Sequence, residues 1–371
     1  MNTEKKKSFF RRSFSFFFKL FALLCLLILF ITILAKYIPP GVSIIPAYLG
    51  LVFPYIFLVN VLVFIIVLLR KYWFVLSVFI VPFIWACFIF SGYFQTGLFN
   101  DNVPESRTFK VMTFNVRLFN LYEWKKNKQL RDSIMIFIKE QNPDIICFQE
   151  YYENTHGDFE TINILTGELG YNYHHRYFPV MPDDFQRFGI ATFSRFPIIG
   201  KKQINFDGTS NMTLQSDIEV DSGIVIRLFN NHLESIRLSG EDVNYVSEVN
   251  NIGDKEIKRG KGILSRLRKA FRERQSQAEI ISSSVKESPY PVVVCGDFND
   301  VPVSYAYTKV KGDLTDSYIE SGKGWGSTYP SRAFSLRIDY IFHSDELKSY
   351  NTTIHKNELS DHYALSTILS Y

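Results

Sequence analysis

The chain has 371 residues, 47% hydrophobic and 16% aromatic, with 41 Lys/Arg against 37 Asp/Glu. Its net charge of +4 conceals a split: residues 1–100 hold nine Lys/Arg and one Glu, leaving 32 basic and 36 acidic residues for the rest. A mildly acidic C-terminal part excludes the broad positive field of a dedicated nucleic-acid binder, and four scattered cysteines exclude a disulfide framework.

Three apolar runs open the chain, over residues 14–35, 45–69 and 72–94. Each reaches the roughly 20 residues a helix needs to cross a bilayer. Pro46, Pro54 and Pro82 would kink soluble helices but are accommodated among membrane helices. The first run alone could be a cleaved signal peptide; two further runs and no small-residue cleavage site argue against it. Lys5, Lys6, Lys7, Arg11 and Arg12 precede the first run, and Arg70 and Lys71 separate the second from the third. The positive-inside bias therefore predicts a multi-pass membrane protein with a cytoplasmic N-terminus. Three crossings put everything after about residue 95 on the extracytoplasmic side. The expected layout is a membrane anchor over 1–95, a tether over 96–106 and a catalytic domain over 107–371.

Within that domain, 108–116 alternates like a strand, and 128–141 places Leu130, Ile134 and Ile138 on one helical face. Asn142-Pro143-Asp144 ends the helix and starts "IICFQE". Further strands are predicted at 188–198, 212–220, 223–233, 290–298 and 336–343, with a helix over roughly 263–287. Strands and helices interleave irregularly, which predicts a mixed-sheet α/β domain. The segment 254–274 carries nine Lys/Arg against three acids. It reads as a solvated helix face, or as a basic flap for anionic head groups or a phosphorylated substrate.

Polar residues gather where the apolar strands end: Asn115, Glu150, His232, Asp297 with Asn299, Asp339 inside "RIDYIF", and Asp361-His362 before the last strand. Singly, each is a turn former or a cap. Together they converge on one edge of a sheet stack, where bare carboxylates cost desolvation unless something cationic binds. Glu150, Asn115 and Asp361 are hard oxygen ligands, suited to Mg2+ or Mn2+ rather than zinc. No GxSxG elbow or Walker glycine loop occurs. A hard cation, a carboxylate to activate water and two imidazoles suit phosphate-ester hydrolysis.

"TFNVR", "CFQE", "SRFPI", "NNHLES", "GDFND", "RIDYIF" and "SDHYAL" occur in the order of the endonuclease/exonuclease/phosphatase superfamily, which residues 107–371 resemble. The layout is similar to its membrane-tethered bacterial members. The resemblance implies a four-layer α/β sandwich of two mixed sheets flanked by helices, preceded here by three transmembrane helices. It implies Glu150 as principal metal ligand supported by Asn115 and Asp361, and Asp297 as the carboxylate that polarises the attacking water. Asn299 orients that carboxylate or holds phosphoryl oxygens, His232 and His362 meet those oxygens, and Asp339 fixes the His362 tautomer. Arg195 falls where the family often has a structural or substrate-near basic residue. The tyrosine and basic loops with which nuclease branches grip a strand have no clear counterpart; Tyr151 and Tyr152 read as packing. The substrate is a phosphoester, either a lipid head group or nucleic acid. A catalytically silent binding module on a membrane stalk is the competing reading, and a complete set of polar positions argues against it.

Overall fold

Phe, Leu, Ile and Val on every face of the helices between residues 14 and 90 make an all-round apolar bundle. The computed structural model describes residues 2–97, 102–105, 107–123, 129–157, 159–236, 254–331 and 335–371. Its first helices are α1 (Asn2–Ile33), α2 (Ile45–Leu51), α3 (Phe53–Leu69) and α4 (Trp73–Phe90). Leu62, Phe74 and Phe88 point outward at 63%, 75% and 73% exposure, as lipid-facing side chains do. Among the described residues, Phe9–Lys36 and Trp73–Phe90 are long and apolar enough to cross a membrane.

The expected single span over 45–69 is instead two helices bent by 80° at Val52. The cause is local: Pro46 and Pro54 each sit in the first turn of their own helix, where a missing N–H costs nothing, so the break falls between them. α3 alone is 17 residues, about 25 Å, against a hydrocarbon core of roughly 30 Å. Arg11, Arg12, Lys19 and Arg70 surround one cavity at the bundle end where α1 meets the α3–α4 turn.

The remainder folds as two six-stranded sheets. In chain order the strands are β1 (Thr108–Asn115), β2 (Ile145–Asn154), β3 (Tyr173–Val180), β4 (Gln186–Ser194), β5 (Ile198–Asn205), β6 (Met212–Asp221), β7 (Ile224–His232), β8 (Val292–Asp297), β9 (Thr315–Asp316), β10 (Asp339–His343), β11 (Lys348–His355) and β12 (Ala364–Ser370). The first sheet has the order β11-β12-β1-β2-β4-β3 and the second β9-β10-β8-β7-β6-β5. Each sheet holds one parallel pair, β1 with β2 and β7 with β8, and every other pair is antiparallel. The parallel crossovers run through α5 (Leu130–Gln141) and α6 (Asp254–Lys286).

Alternation along the central strands builds the layers. Val111, Cys147, Leu228, Cys295 and Leu365 meet between the sheets. Met112, Phe114 and Phe148 face the other way, under Ile134 and Ile138 of α5. Val292 and Val294 face Ala278 and Ile281 of α6. Strands buried on both faces explain the unbroken "VVVC" run. This is the helix–sheet–sheet–helix stack of two mixed sheets that the sequence predicts.

The helical bundle is built into the stack. Leu29, Ile33, Phe53, Phe57, Ala86, Ile89 and Tyr93 pack with Val301 and Val303, which follow β8. Phe94–Gln95 pairs with Gly324–Trp325, and the Trp325 ring lies 5.2 Å from Phe94 and 6.0 Å from Phe90. The expected tether over 96–106 thus begins only after the chain has joined the domain's ribbon; residues 98–101 and 106 lie outside the described ones. The basic 254–274 segment lies in α6. Ile263, Leu267 and Phe271 pack on Ile44, Ala47 and Tyr48, while Lys258, Lys261, Arg268, Lys269 and Arg272 face solvent. The side chains of 254–256 lie outside the described residues.

One buried histidine, His175, and one half-buried histidine, His355, give the domain an acid limit. His175 Nδ1 lies 3.0 Å from Ser216 Oγ across the sheets, and His355 Nε2 lies 2.8 Å from Ser366 Oγ. Burial, then Lys201 and His174 around the first and Lys110 beside the second, lowers each to about 4. Unfolded histidine titrates near 6.5, so the unfolded chain takes up these protons first. The stability they allow is complete above about pH 6.5 and is lost as the pH falls toward 4. Thermal melts of the full chain in micelles between pH 7 and 4.5 should show this decline, and His175→Gln/His355→Gln should flatten it. An unchanged slope in the double variant would exclude these two groups.

Candidate active site

The site lies along the carboxyl ends of the two parallel pairs, the edge at which α/β sheets leave room for a ligand. Its centre is Asp297, the last residue of β8. Gly296 before it has φ +131°, and a Cβ there would lie 2.0 Å from the Asn231 carbonyl oxygen on β7. Glycine is required by this close approach of two strands. Asn299, at φ +52°, folds back so that its N–H donates to Asp297 Oδ1 at 2.8 Å. Its Nδ2 donates to Asp297 Oδ2 at 3.2 Å and to the Leu233 carbonyl at 3.0 Å.

Asn115 ends β1, and its Nδ2 donates to Asp297 Oδ2 at 3.0 Å and reaches Glu150 Oε1 at 3.5 Å. Its Oδ1 accepts from the Arg117 N–H at 3.1 Å. Glu150 sits at a bulge between Phe148 and Tyr151, with φ +48°. The bulge breaks the alternation and turns the carboxylate into the cleft, while Tyr151 and Tyr152 go to the core at 0% and 2% exposure. His232 ends β7, and its Nε2 lies 3.8 Å from Glu150 and 3.9 Å from Asp297. That nitrogen is buried and has no hydrogen-bond partner among the described residues.

On the other flank, His362 Nδ1 is 3.0 Å from Asp339 Oδ2, and its Nε2 is 3.8 Å from Asp297 Oδ2. Asp339 is held by register, directly across from Asp297 in the β10–β8 pair. Its N–H donates to Thr328 Oγ1 at 3.1 Å. Asp361 is the outermost member, partly exposed and 3.5 Å from Arg117 Nε. Ser360 Oγ ties this turn to the Asn115 carbonyl at 2.8 Å.

Electrostatics divides the two histidines. Burial opposes the charge on His362, but Asp339 and Asp297 outweigh it and hold its pKa well above the ordinary histidine range. Burial lowers His232, with Asp297 opposing, so the neutral ring is favoured there. Burial raises Asp297, against the pull of His362. Burial and then the Asp361 charge raise Glu150. A carboxylate pair strained in this way, beside an orphaned buried imidazole nitrogen, fits a divalent cation. Asp297, Asp339 and His362 also form a compact group whose ligand-type atoms lie within 4.8 Å. Its geometry is that of a carboxylate–imidazole–carboxylate relay, because the Nδ1 of His362 is already taken by Asp339.

Eight of the nine predicted positions therefore meet in one cleft. Arg195 does not. It follows β4 at the end that pairs with Ile145, away from Glu150. There its Nη2 donates to Asn142 Oδ1 at 2.7 Å, and its guanidinium stacks 5.0 Å from the Tyr171 ring. Its work is to fix the left-handed Asn142 that ends α5. Arg117, Thr328 and Tyr329 are site residues that motif reading missed. Arg117 was visible in "TFNVR", whereas Tyr329, whose ring lies 4.9 Å from that of His362, carries no local signal.

Residues 112–362 match the Endonuclease/Exonuclease/phosphatase family, and the chain belongs to it. Truncated Caenorhabditis elegans TDP2 is similar in structure, with a TM-score of 0.50 and 17% identity over 71% of this chain and 98% of that one. Humanized D. rerio TDP2 carrying 14 mutations gives 0.51 at 15% identity, over 72% and 100%. The endonuclease/exonuclease/phosphatase from Bacteroides vulgatus gives 0.50 at 20% identity, over 71% and 99%. No curated protein matches the chain.

Proposed function

We propose that the protein is a membrane-anchored, divalent-metal-dependent phosphoesterase. The observation that carries this reading is the convergence on Asp297: three N–H donors from Asn115 and Asn299 fix its carboxylate, and two imidazole nitrogens lie within 3.9 Å of it. Asp297 accepts the proton of the attacking water. The cationic His362, steadied by Asp339, donates to a phosphoryl oxygen, and the neutral His232 donates to another. Glu150 and Asp361, with Asn115 beside them, would hold Mg2+ or Mn2+. Bound there, the cation neutralises phosphoryl charge and lowers the pKa of water. The hydrogen bonds favour Asn115 as the residue that joins Asp297 to Glu150, since its Oδ1 is turned toward Arg117.

The substrate is a phosphodiester or phosphomonoester, of a lipid head group or of nucleic acid. The full chain in micelles should hydrolyse bis(p-nitrophenyl) phosphate with Mg2+ or Mn2+, lose this with EDTA, and regain it on metal addition. A folded, metal-replete protein that turned over no phosphoester would favour the silent binding module.

Three crossings, with the cytoplasm at the Arg11–Arg12–Arg70 end and the catalytic domain outside, suit the charge distribution. A reporter fused after Tyr371 should be active only when it folds outside the cytoplasm. Activity confined to a cytoplasm-dependent reporter would reverse this orientation.

A further inference from the structure

The ribbon beside the active site has a second neighbour. Between it and the start of α3 lies a cavity of about 240 Å3, walled by Leu51, Pro54, Tyr55, Leu58, Trp325 and Leu336. Arg337, a charged residue on the wall, is 1% exposed; its two Nη groups are bound to Asp316 and the Gly92 carbonyl, and only its buried Nε has no hydrogen-bond partner among the described residues. With its charge paired and the walls mostly aliphatic and aromatic, the cavity suits an apolar chain better than a phosphate backbone.

Two placements decide what such a chain belongs to. First, Tyr55 and Leu58 are 57% and 49% exposed, and the same stripe continues down α3 through Leu62 and Leu69 at 63% and 75%. The cavity is thus the upper end of an apolar face that faces lipid in the membrane-anchored protein. Second, Leu336 is the direct cross-strand partner of Tyr329, whose ring lies 4.9 Å from His362. Cross-strand partners lie roughly 5 Å apart, so the groove is two side chains from the site.

We propose that this groove receives an acyl chain of a bilayer lipid, and that the substrate is the phosphoester of that lipid. The proposal rests on the phosphoesterase reading above and names its substrate class. Only the end of the chain nearest the head group needs to leave the bilayer. Hydrolysis then releases a water-soluble head-group fragment and leaves the lipid part in the groove.

The test uses the full chain in vesicles of phosphatidylcholine, phosphatidylethanolamine, phosphatidylglycerol and sphingomyelin, prepared with plain or dibrominated phosphatidylcholine chains. In a variant with Trp73, Trp85 and Trp124 changed to Phe, the brominated chains should quench Trp325, and Leu51→Phe/Leu58→Phe should restore its emission by filling the groove. Unquenched emission, or quenching that survives the filling, overturns the groove. In the wild-type background the same filling should lower lipid hydrolysis about tenfold or more and leave bis(p-nitrophenyl) phosphate hydrolysis unchanged. Equal loss on both substrates overturns the assignment. So does wild-type protein that cleaves the soluble diester, or DNA, but none of the vesicle lipids. Wild-type protein that cleaves no phosphoester defeats the phosphoesterase reading and the substrate with it, while the quenching result still judges the groove separately.

Discussion

Asp297→Asn should lower kcat on a phosphodiester by about 10²- to 10⁴-fold, the usual contribution of a positioned general base. The substitution keeps the shape of the side chain and its approach to Asn299 while removing the proton acceptor. Burial raises the Asp297 pKa, so the folded protein carries this charge at a net cost. An amide offers one acceptor oxygen in place of two, so the variant should give up part of the hydrogen bonding from Asn115 and Asn299 and melt modestly lower, while its activity falls far out of proportion to that change. That combination separates a catalytic role from a structural one, for which stability and activity would fall together. His362→Gln should act similarly on kcat, since Asp339 then has no imidazolium to steady. Activity within tenfold of wild type in Asp297→Asn would remove Asp297 from the chemistry.

Arg337→Met should destabilise the protein by about 3–5 kcal/mol, the cost of leaving a buried charge without its partner. The guanidinium is sandwiched between Tyr318 and Tyr340, at 4.4 and 4.8 Å, and paired with the fully buried Asp316. It also donates to the Gly92 carbonyl at 2.8 Å, just past the end of α4. Chemical denaturation in micelles should show the loss. Pairing Arg337→Met with Asp316→Asn should recover part of it, because the stranded carboxylate is gone. Full additivity of the two substitutions would mean that the pair is not coupled.

The legible parts of the fold were its buried parts. Val292–Asp297 and Ile145–Asn154 are covered on both sides, and their unbroken apolar runs announced them. The strands missed were Tyr173–Val180, Ile198–Asn205, Thr315–Asp316 and Lys348–His355, and all four are sheet edges. Edge strands carry lysines and polar residues that blunt pairing with another chain, so their composition resembles loop. The break at Val52 escaped because two prolines in one apolar run fit a kinked span as well as two helices. Site residues at strand ends were readable because motif position and strand end coincide. Of the two readings of Arg195, structural or substrate-near, its contacts with Asn142 and Tyr171 favour the structural one: it also follows a strand, but at the other end of the sheet. Arg274 was read only as one charge of a basic segment. In the structure it is buried, 3.0 Å from Asp300 and 2.8 Å from the Glu234 carbonyl, which a count of charges cannot reveal.

Val301, Pro302 and Val303 lean on the helical bundle only four to six positions after Asp297, and Gly92 lies against Pro302. Synthesis delivers the helical bundle first, so the two-sheet domain matures against an apolar surface that is already made. The strand Phe94–Gln95 must then hold its place until Gly324–Trp325 arrives much later in the chain. Cutting the protein between bundle and domain would bare these apolar side chains to water. The smallest piece to be handled as a folded protein is therefore the whole chain in a detergent or lipid environment.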